Sequence, residues 1–473
     1  MRKQIAFFLF LALPVALFFA FRPVAGNEFE VTKNFEIFKD VYTEIYTDYV
    51  DEHAPGDLMK RCIDGMLESL DPYTNYIPES DIEDYRIMTT GQYGGIGALI
   101  RKMGEFNFIV EPYENAPVQK AGFKAGDKIL EVDGNTVKNK STEEVSAMLK
   151  GSAGTSLKLK VERDGQIIEK SLTREEIKIP DVPFSGMLDK EIGYIKLNSF
   201  TQTASDEVKT AFAKLKERGM KKLVFDLRGN GGGLLNEAVR IVNMFVPQGT
   251  MIVKQKGRAA DMNINYPARE EPVDTEIPLV VLVDDGSASA SEIVAGSLQD
   301  LDRALIVGIR SFGKGLVQQT RKMPYNTMVK LTVAKYYTPS GRCIQKLDYS
   351  HKEAGAKANQ VADSIVQKYK TKNGREVIDA RGIEPEIEVE ERDFSKLAAI
   401  LMTEDFIFNY ATLFSRKNSS IADARTFKLS DADYKDFLAL VKEKDFKYKT
   451  STEVRFEEFK KTAERENYFA GAE

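Results

Sequence analysis

Histidine and tryptophan are scarce in this 473-residue chain, which has two histidines, His53 and His351, and no tryptophan. A zinc site of the HExxH type needs two histidines one helical turn apart in a defined motif, so the sequence excludes it. Neither histidine lies in a motif that indicates chemistry, which argues against a serine–histidine–aspartate triad. A hydrolytic mechanism would therefore need a general base of another residue type.

Cysteine and excess basic charge are also lacking. Cys62 and Cys343 form neither a disulfide framework nor a CxxC metal-binding pair, so we expect two free, buried thiols. Lysine and arginine total 67 against 72 aspartates and glutamates, a net charge of −5. Without a basic excess, nothing indicates a nucleic-acid partner. We expect no metal ion or other cofactor.

The first 26 residues have the pattern of an export segment. Arg2 and Lys3 precede an apolar run over residues 5–21 that only Pro14 interrupts, and small residues follow at Ala25 and Gly26. The run is slightly long for a signal peptide and slightly short for a membrane-spanning helix. We expect export, with the segment either cleaved as a signal or retained as an anchor.

Four regions with different patterns follow this segment. Apolar residues at helical spacing predict helices over 27–90, and short strands with glycine turns predict a compact domain with one helix over 91–176. Strands alternating with helical patterns predict an α/β domain over 177–392, with a charged helical insertion at about 353–372. Amphipathic segments predict helices over 393–473.

The stretch IPLVVLVDDGSASASEIVAGSLQD predicts a buried strand over 277–283, a turn, and a helix over about 290–299. A serine at such a turn exposes its hydroxyl above the sheet, beside the positive end of the helix dipole. Ser287, Ser289 and Ser291 compete for this position. The alternative is structural, because Ser289 and Glu292 fit the S-x-x-E capping box.

A general base is available downstream in IRSFGKGLVQQT, where Lys314 lies between two glycines. Desolvation lowers the pKa of a lysine ammonium group, and a neutral lysine can take the proton of a serine hydroxyl. Alternation along a strand places Lys314, Leu316 and Gln318 on the same side, so the Gln318 amide could hold the lysine. The alternatives are a phosphate-contacting lysine, for which the Walker pattern fails, and a simple turn.

A glycine run follows another predicted strand in KKLVFDLRGNGGGLLNEAV. The dinucleotide pattern G-x-G-x-x-G fails, because the sixth position counted from Gly229 is Leu234. Glycines at a strand end let main-chain N–H groups approach a ligand closely. Gly232 or Gly233 could therefore contribute to an oxyanion hole, and a structural tight turn is the alternative.

These segments resemble the carboxyl-terminal processing, or tail-specific, proteases. The resemblance rests on VFDLRGNGGGLL, GSASASEIVAGSLQD, FGKGLVQ, KYYTPSGRCIQ and RGIEPEIEV, and it covers about 80% of the chain. It implies that Ser289 is the nucleophile, Lys314 the general base and Gln318 the residue that orients the lysine. It also implies an oxyanion hole from the main-chain amides of Gly232 (or Gly233) and Ala290. One departure is Cys343, where relatives commonly have serine.

The resemblance further implies a crotonase-like (ClpP/crotonase) α/β catalytic core with an inserted PDZ domain over 91–176. Its carboxylate-binding loop would be Gly95, Ile96, Gly97 and Ala98, and the helix carrying Val145 and Leu149 would wall the side-chain pocket. Successive N–H groups can capture a peptide's terminal carboxylate while the peptide adds to a strand edge. An inert spacer domain is the alternative.

The sequence therefore predicts an exported serine endopeptidase that recognises the C-terminal tails of protein substrates and cleaves by Ser–Lys acyl-enzyme chemistry. Activity would fall in acid as Lys314 becomes protonated, and the PDZ domain would gate access to the site. We expect a location in the bacterial periplasm or cell envelope, either free or anchored to the inner membrane, and an adaptor protein remains an open partner. The alternatives are a non-catalytic PDZ-containing binding protein and an acyl-CoA enzyme on the same core.

Overall fold

The computed structural model describes residues 28–350, 356–390, 395–418, 420–424, 426–443, 446, 448–466 and 468. The predicted export segment over residues 1–26 lies outside the described residues. The described residues divide into two units, one with residues 28–76 and 356, and one with residues 77–350 and the described residues from 357 onward.

The first unit is helical, as the sequence predicts. Its helices are α1, Glu28–Asp48, and α2, Pro55–Glu68. Pro55 lies in the first turn of α2, where a residue without an N–H is tolerated because that N–H would have no partner in the helix. The short strand β1, Asn75–Ile77, crosses the boundary between the units. Cys62 on α2 is free but exposed, so the expectation of a buried thiol is wrong there. This helix buries Leu67 and leaves the Cys62 position exposed. Cys343 is free and partly buried.

The second unit begins with helix α3, Ile82–Thr90, which ends at the left-handed Gly91. A strand-rich domain with one helix of two turns follows, as predicted. Its elements are β2 (Gln92–Gly95), β3 (Ala98–Met103), β4 (Phe106–Pro112), α4 (Pro117–Lys120), β5 (Lys128–Val132), β6 (Asn135–Thr136), α5 (Thr142–Leu149), β7 (Ser156–Arg163), β8 (Gln166–Thr173) and β9 (Glu175–Lys178). The main antiparallel sheet has the order β3–β4–β5–β7–β8, which leaves β3 at an edge.

The two ends of this domain meet. Strand β2 pairs with β9 in an antiparallel ribbon, from Gln92 opposite Lys178 to Gly95 opposite Glu175. The N–H of Ile179 also donates to the carbonyl of Gly91 at 2.8 Å. The chain therefore enters and leaves the domain at one place, which is the geometry of an insertion into a larger fold.

The α/β domain contains every strand predicted for it. Its elements are β10 (Phe184–Met187), β11 (Ile192–Lys196), α6 (Ala204–Glu217), β12 (Lys222–Asp226), α7 (Leu235–Asn243), β13 (Met251–Gly257), β14 (Ile264–Pro267), β15 (Leu279–Val283), α8 (Ala290–Asp300), β16 (Leu305–Gly308), β17 (Leu316–Met323), β18 (Thr327–Tyr337) and β23 (Ile387–Glu388). One sheet has the order β10–β11–β12–β15–β16–β23 and is parallel from β11 to β23. Strand β10 is antiparallel to β11.

This topology places two predicted loops side by side. Strands β12 and β15 are parallel neighbours, with Asp226 opposite Leu282. Their carboxyl ends lead into the glycine run and into the serine turn respectively. In parallel sheets the loops after the carboxyl ends of adjacent strands share one edge, where ligands commonly bind. The second sheet contains the antiparallel order β17–β18–β13–β14, and the Lys314 loop precedes β17.

The helical insertion predicted at 353–372 is wrong for its described residues. They contain two strands, β20 (Asn359–Gln360), which pairs with β19 (Leu347–Asp348), and β21 (Lys368–Lys370), which forms a hairpin with β22 (Glu376–Ile378) further along the chain. A 3₁₀ turn at Asp363–Ile365 lies between them. The signal that the sequence analysis missed is Asn373-Gly374 in the hairpin turn, where Gly374 has φ +88°. Residues 353–355 lie outside the described residues.

The C-terminal region is helical, as predicted. Its helices are α9 (Lys396–Thr403), α10 (Phe406–Lys417), α11 (Asp431–Glu443) and α12 (Ser451–Arg465). Within the described part of the chain, no single helix has the length and apolarity to cross a membrane. The pair α9 and α10, bent by 63°, meets those two criteria together.

Candidate active site

Ser289 lies at the turn between strand β15 and helix α8. Its φ of +57° places a non-glycine residue in a sparsely populated backbone region, a kind of strain that is found mainly at functional sites. Ser287 and Ser291 are fully buried, and their hydroxyls donate to the carbonyls of Leu227 and Asn230, both at 2.8 Å. These two serines tie the turn to the neighbouring glycine loop. Of the three candidates, Ser289 is the one that lines a cavity.

The structural alternative for Ser289 is partly correct. Ser289 is the N-cap of α8 and stands with Glu292 in the capping-box arrangement. Only one half has hydrogen-bond geometry, since the N–H of Ser289 donates to Glu292 at 2.8 Å while the hydroxyl makes no cap hydrogen bond. Ser289 therefore both begins helix α8 and lines the cavity.

The cavity has a volume of about 380 Å³ and brings together the residues that the sequence analysis selected. Its lining includes Ser289, Ala290, Lys314, Gln318, Gly232 and Gly233. These residues come from three segments that are up to 86 positions apart in the chain, from residue 232 to residue 318. Folding therefore assembles one cavity from segments that are distant in the sequence.

Lys314 is partly buried in the loop that leads into β17. Its N–H donates to Glu292 at 2.9 Å, and its carbonyl accepts the phenol of Tyr336 at 2.6 Å. After Lys314 the side chains do not simply alternate between the two sides of the strand, because the β17–β18 register shifts between Val317 and Gln318. Leu316, Val317 and Gln318 all line the cavity as a result. The Gln318 amide donates to the Thr332 hydroxyl at 3.1 Å.

The glycine loop approaches Ser289 closely. Gly232 has φ +101°, and a Cβ atom at this position would lie 2.7 Å from the Ala288 carbonyl oxygen and 2.9 Å from the Ala290 nitrogen. Only glycine fits such a contact. The N–H of Gly232 donates to the Asn230 side chain at 2.9 Å, so this bond must open before Gly232 could donate to a substrate.

Glu292 is a site residue whose full role the sequence analysis missed. Its carboxylate is completely buried, and burial raises its pKa to about 7. One oxygen accepts hydrogen bonds from Ser311 (2.6 Å) and Gly313 (2.7 Å), and the other accepts from Lys314 and Ser289. Four donors match the lone pairs of an ionised carboxylate. Glu292 therefore joins the serine turn to the lysine loop, and its position in the capping box concealed this role.

Helix α3 forms a further wall that the sequence did not indicate. Tyr85, Met88 and Thr89 line the cavity, and the Tyr85 phenol lies 2.6 Å from the hydroxyl of Thr320 on β17. Among the described residues, no group of three or more His, Cys, Asp or Glu side chains could hold a metal ion.

The residues predicted to bind peptide lie in the strand-rich domain. Residues 95–98 connect β2 to the edge strand β3. Ile96, Val145 and Leu149 belong to the hydrophobic core of this domain and are at most 5% exposed. A cavity of about 450 Å³ lies beside them, between this domain and helix α3, and Tyr93 and Gly94 contribute to its lining. Peptide binding by these residues stays a prediction.

Three family models match the chain. Peptidase family S41 matches residues 191–350, a PDZ domain matches residues 108–163, and the C-terminal helical domain of a probable PDZ-protease matches residues 397–473. The first match includes Ser289 and Lys314. Fold and site together define a serine-type protease that carries a PDZ domain.

Individual proteins are also similar to this chain over most of its length. The carboxy-terminal-processing protease of Bartonella bacilliformis is 36% identical over 326 residues, 68% of this chain and 74% of the relative. The probable CtpA-like serine protease of Staphylococcus aureus is 33% identical over 333 residues, 70% of this chain and 66% of the relative. Among solved structures, the photosystem II D1 C-terminal processing protease is 29% identical with a TM-score of 0.41, over 75% of this chain and 86% of that chain.

The chain belongs to the carboxy-terminal-processing protease family. These relatives favour a protease over the non-catalytic PDZ-containing binding protein that the sequence left as an alternative.

Proposed function

We propose that Ser289 is the nucleophile of this protease and that neutral Lys314 is its general base. Lys314 accepts the hydroxyl proton as Ser289 attacks the scissile carbonyl, and it returns the proton to the leaving amine. Water then hydrolyses the acyl-enzyme by the same proton transfers in reverse order. The observation that supports this proposal most strongly is the shared cavity of Ser289 and Lys314.

An oxyanion hole would form at the start of helix α8. Ala290 is the first residue of that helix, so its N–H has no partner within the helix and lies at the positive end of the dipole. The amide of Gly232, or that of Gly233, would supply a second donor from the loop that contacts Ser289. If Gly232 is that donor, its bond to the Asn230 side chain opens first. Two N–H groups directed at one oxygen stabilise the negative charge of a tetrahedral intermediate.

Gln318 would position the lysine amine. It lines the same cavity as Lys314, and its amide is held by Thr332. We also assign the parallel sheet and its flanking helices to the crotonase-like class. The support for that assignment is the sheet order and the placement of the site at the carboxyl ends of β12 and β15.

The PDZ domain would recognise the C-terminal tail of a protein substrate. Strand β3 is an edge strand, so it can accept an added peptide strand, and residues 95–98 precede it as the carboxylate-binding loop. Val145 and Leu149 on α5 would shape the pocket for the last side chain. A direct test compares two peptides of identical sequence, one with a free C-terminal carboxylate and one with an amide. We expect faster cleavage of the free acid, and equal rates would contradict tail recognition.

The insertion geometry allows a second test of the PDZ domain. Because Gly91 and Ile179 are hydrogen-bonded, a short glycine-serine linker can replace residues 92–178. If the domain gates access to the site, the shortened enzyme should lose its preference for the free-acid peptide and change its rate on a tail-free peptide. Retention of both the rate and the preference would contradict gating.

Location and partners complete the proposal. The basic and apolar pattern of residues 1–26 supports export to the periplasm or cell envelope, with or without retention in the inner membrane. Protein or peptide substrates with accessible C-terminal tails are the proposed partners, and an adaptor protein would act by presenting them.

The catalytic assignment is tested by cleavage of the tail peptide. Ser289→Ala and Lys314→Met should each reduce the turnover number by about 10³-fold or more, because the nucleophile and its base act as one unit. Ser185→Ala and Lys335→Met are matched controls, since both residues lie outside the cavity lining. Full activity in either site variant would contradict the assignment.

A further inference from the structure

Tyr336, on strand β18, is a fully buried phenol beside the proposed catalytic pair. It is 1% exposed and lines the cavity that contains Ser289 and Lys314. Its hydroxyl donates to the carbonyl of Lys314 at 2.6 Å and to the carbonyl of Ser289 at 3.2 Å, sharing one proton between them. A single side chain therefore contacts the main chain of both residues.

The contacts of Tyr336 complement those of Glu292. Glu292 accepts the N–H groups of Ser289 and Lys314, while Tyr336 donates to the carbonyl groups of the same two residues. Each of the two residues is thus held at both of its main-chain polar groups. The main-chain N–H of Tyr336 adds a third bond, to the carbonyl of Gly315 at 3.0 Å.

The lysine loop needs such support more than the serine turn does. The carbonyl of Ser289 also accepts the N–H of Ile293 at 2.9 Å, as part of helix α8. Lys314 lies between two glycines in a loop, and Gly313 has φ +89°. Glycine leaves the backbone more freedom than any other residue. The short bond from Tyr336 restricts that freedom at the residue whose amine must reach the serine hydroxyl.

We propose that Tyr336 is a positioning residue that fixes the separation of Ser289 and Lys314 through their carbonyl groups. The inference rests on the proposed function, because it concerns the same pair. The Tyr336 hydroxyl contacts main-chain oxygens of the pair, so we expect it to act through the two residues that it holds. Burial and the neighbouring charge of Glu292 raise the pKa of the phenol well above its usual value, as does Cys343. The hydroxyl therefore remains a donor throughout the working pH range.

Tyr336→Phe tests the proposal, because it removes the hydroxyl and keeps the ring and the main-chain bond to Gly315. We expect the turnover number to fall on the order of 10- to 100-fold, as expected for a displaced catalytic group, with KM changed less than twofold. The acid limb of the pH–rate profile should also shift. Tyr337→Phe is the matched control, since its ring packs against the Lys256 ammonium at 4.7 Å instead.

Active-site titration with a serine-reactive probe separates positioning from folding. The proposal is overturned if Tyr336→Phe retains wild-type turnover and pH profile per titrated site, even if its melting temperature falls. If Ser289→Ala is inactive while Tyr336→Phe is normal, the inference fails and the proposed function stands. Active Ser289→Ala protein would instead refute the function itself.

A second variant keeps the test decisive if Tyr336→Phe does not fold. 4-Aminophenylalanine at position 336 preserves the ring and replaces the hydroxyl with a weaker hydrogen-bond donor. We expect the turnover number per titrated site to fall several-fold, with KM changed less than twofold, because the weaker donor holds the two carbonyls less firmly. A wild-type turnover number per titrated site would overturn the proposal.

Discussion

The catalytic cavity and the cavity beside the PDZ domain border the same helix but are built differently. Tyr85, Met88 and Thr89 of α3 line the first cavity, whereas Glu83 and Arg86 line the second. This spacing places the two sets on different faces of the helix. One short helix therefore lines both the cavity that contains Ser289 and the cavity beside the PDZ domain.

The difference lies in how the polar groups of the two cavities are held. At the catalytic cavity, Glu292 is completely buried and its carboxylate accepts four hydrogen bonds. At the second cavity, Lys150 pairs with Asp84 at 2.8 Å, and the two side chains are 31% and 72% exposed. Buried polar groups define one geometry because an unpaired one is costly, whereas exposed pairs contribute little. The side of α3 that faces Ser289 thus borders fully buried polar groups, and the side that faces the PDZ domain borders more exposed ones.

Among the variants that compare the two cavities, the largest effect is expected from Gly232→Ala. A Cβ atom would collide with the main chain of Ala288 and Ala290 at a φ of +101°. We expect the catalytic efficiency to fall by about 100-fold or more, as when an oxyanion-hole donor is removed. Binding of a tail peptide to the PDZ domain should not change. Peptide cleavage and fluorescence anisotropy measure these two quantities.

Gly229→Ala is the matched control for that variant. Gly229 lies in the same loop and also has a positive φ, +70°, but a Cβ atom there meets open space. If both variants lost the same activity, backbone strain would explain the loss, and the close contact with the serine turn would not.

A smaller but still large effect is expected from Glu292→Gln. The amide NH₂ is a donor and would replace a carboxylate oxygen that accepts two hydrogen bonds, so donors would face donors and both the serine turn and the lysine loop would be disturbed. We expect the turnover number to fall roughly 10- to 100-fold, because the variant would displace the proposed Ser289–Lys314 pair from its reactive geometry. Steady-state kinetics across pH measure it. In the wild type, protonation of Glu292 near pH 7 should add to the fall in turnover number as the solution becomes more acidic. The variant cannot be protonated at this position, so it should lack this part of the fall.

The stability of the same variant has a predicted sign. Burial raises the folded-state pKa of Glu292 from 4.5 to about 7. The folded protein therefore binds the proton more tightly, and this group destabilises the fold progressively as pH rises from about 4.5 to about 7. Relative to wild type, Glu292→Gln should lack this decrease in thermal stability. Parallel pH profiles of the melting temperature would contradict the assignment.

An intermediate effect is expected at the PDZ loop from Gly97→Ala. The new Cβ atom would lie 2.3 Å from the Cβ of Ala116, at a φ of +74°. Distortion of the proposed carboxylate-binding loop should cost about 1–2 kcal/mol of backbone strain. We therefore expect the preference for the free-acid peptide to fall about tenfold. Cleavage of a tail-free peptide should change little. Gly104→Ala is the control, because its φ is also positive, +63°, and its surroundings are open.

The smallest effect is expected from Lys150→Ala. Because its ion pair with Asp84 is largely exposed, we expect a loss of about 0.2–1 kcal/mol in the free energy of unfolding. Chemical denaturation measures it, and high salt should reduce the difference between variant and wild type. A loss several times larger would show that the side of α3 facing the PDZ domain is as tightly built as the side facing Ser289.

Much of the fold could be predicted from the sequence because its patterns are local. Buried strands before a turn, as over 279–283, and a helix beginning at Ala290 follow from apolar runs and capping residues. The insertion near residue 360 was mispredicted because charged, alternating residues satisfy either a helix or a hairpin. The decisive Asn373-Gly374 turn lay just beyond the segment considered.

The site could be predicted only in part. Ser289, Lys314 and Gln318 follow from motifs, and folding places all three in one cavity. Glu292 and Tyr336 could not be assigned their contacts, because a capping glutamate and a core tyrosine look the same in a sequence. Their partners are main-chain atoms of other segments, which the sequence does not identify. The β-bulge after Val317 was likewise invisible to an argument from strand alternation.

The most direct test of the central claim is covalent labelling by a fluorophosphonate probe, with the modified residue identified by mass spectrometry. We predict that the label attaches to Ser289, that its rate rises with pH as Lys314 loses its proton, and that Lys314→Met labels far more slowly. Labelling of another serine, or an equal rate in Lys314→Met, would contradict the Ser289–Lys314 mechanism.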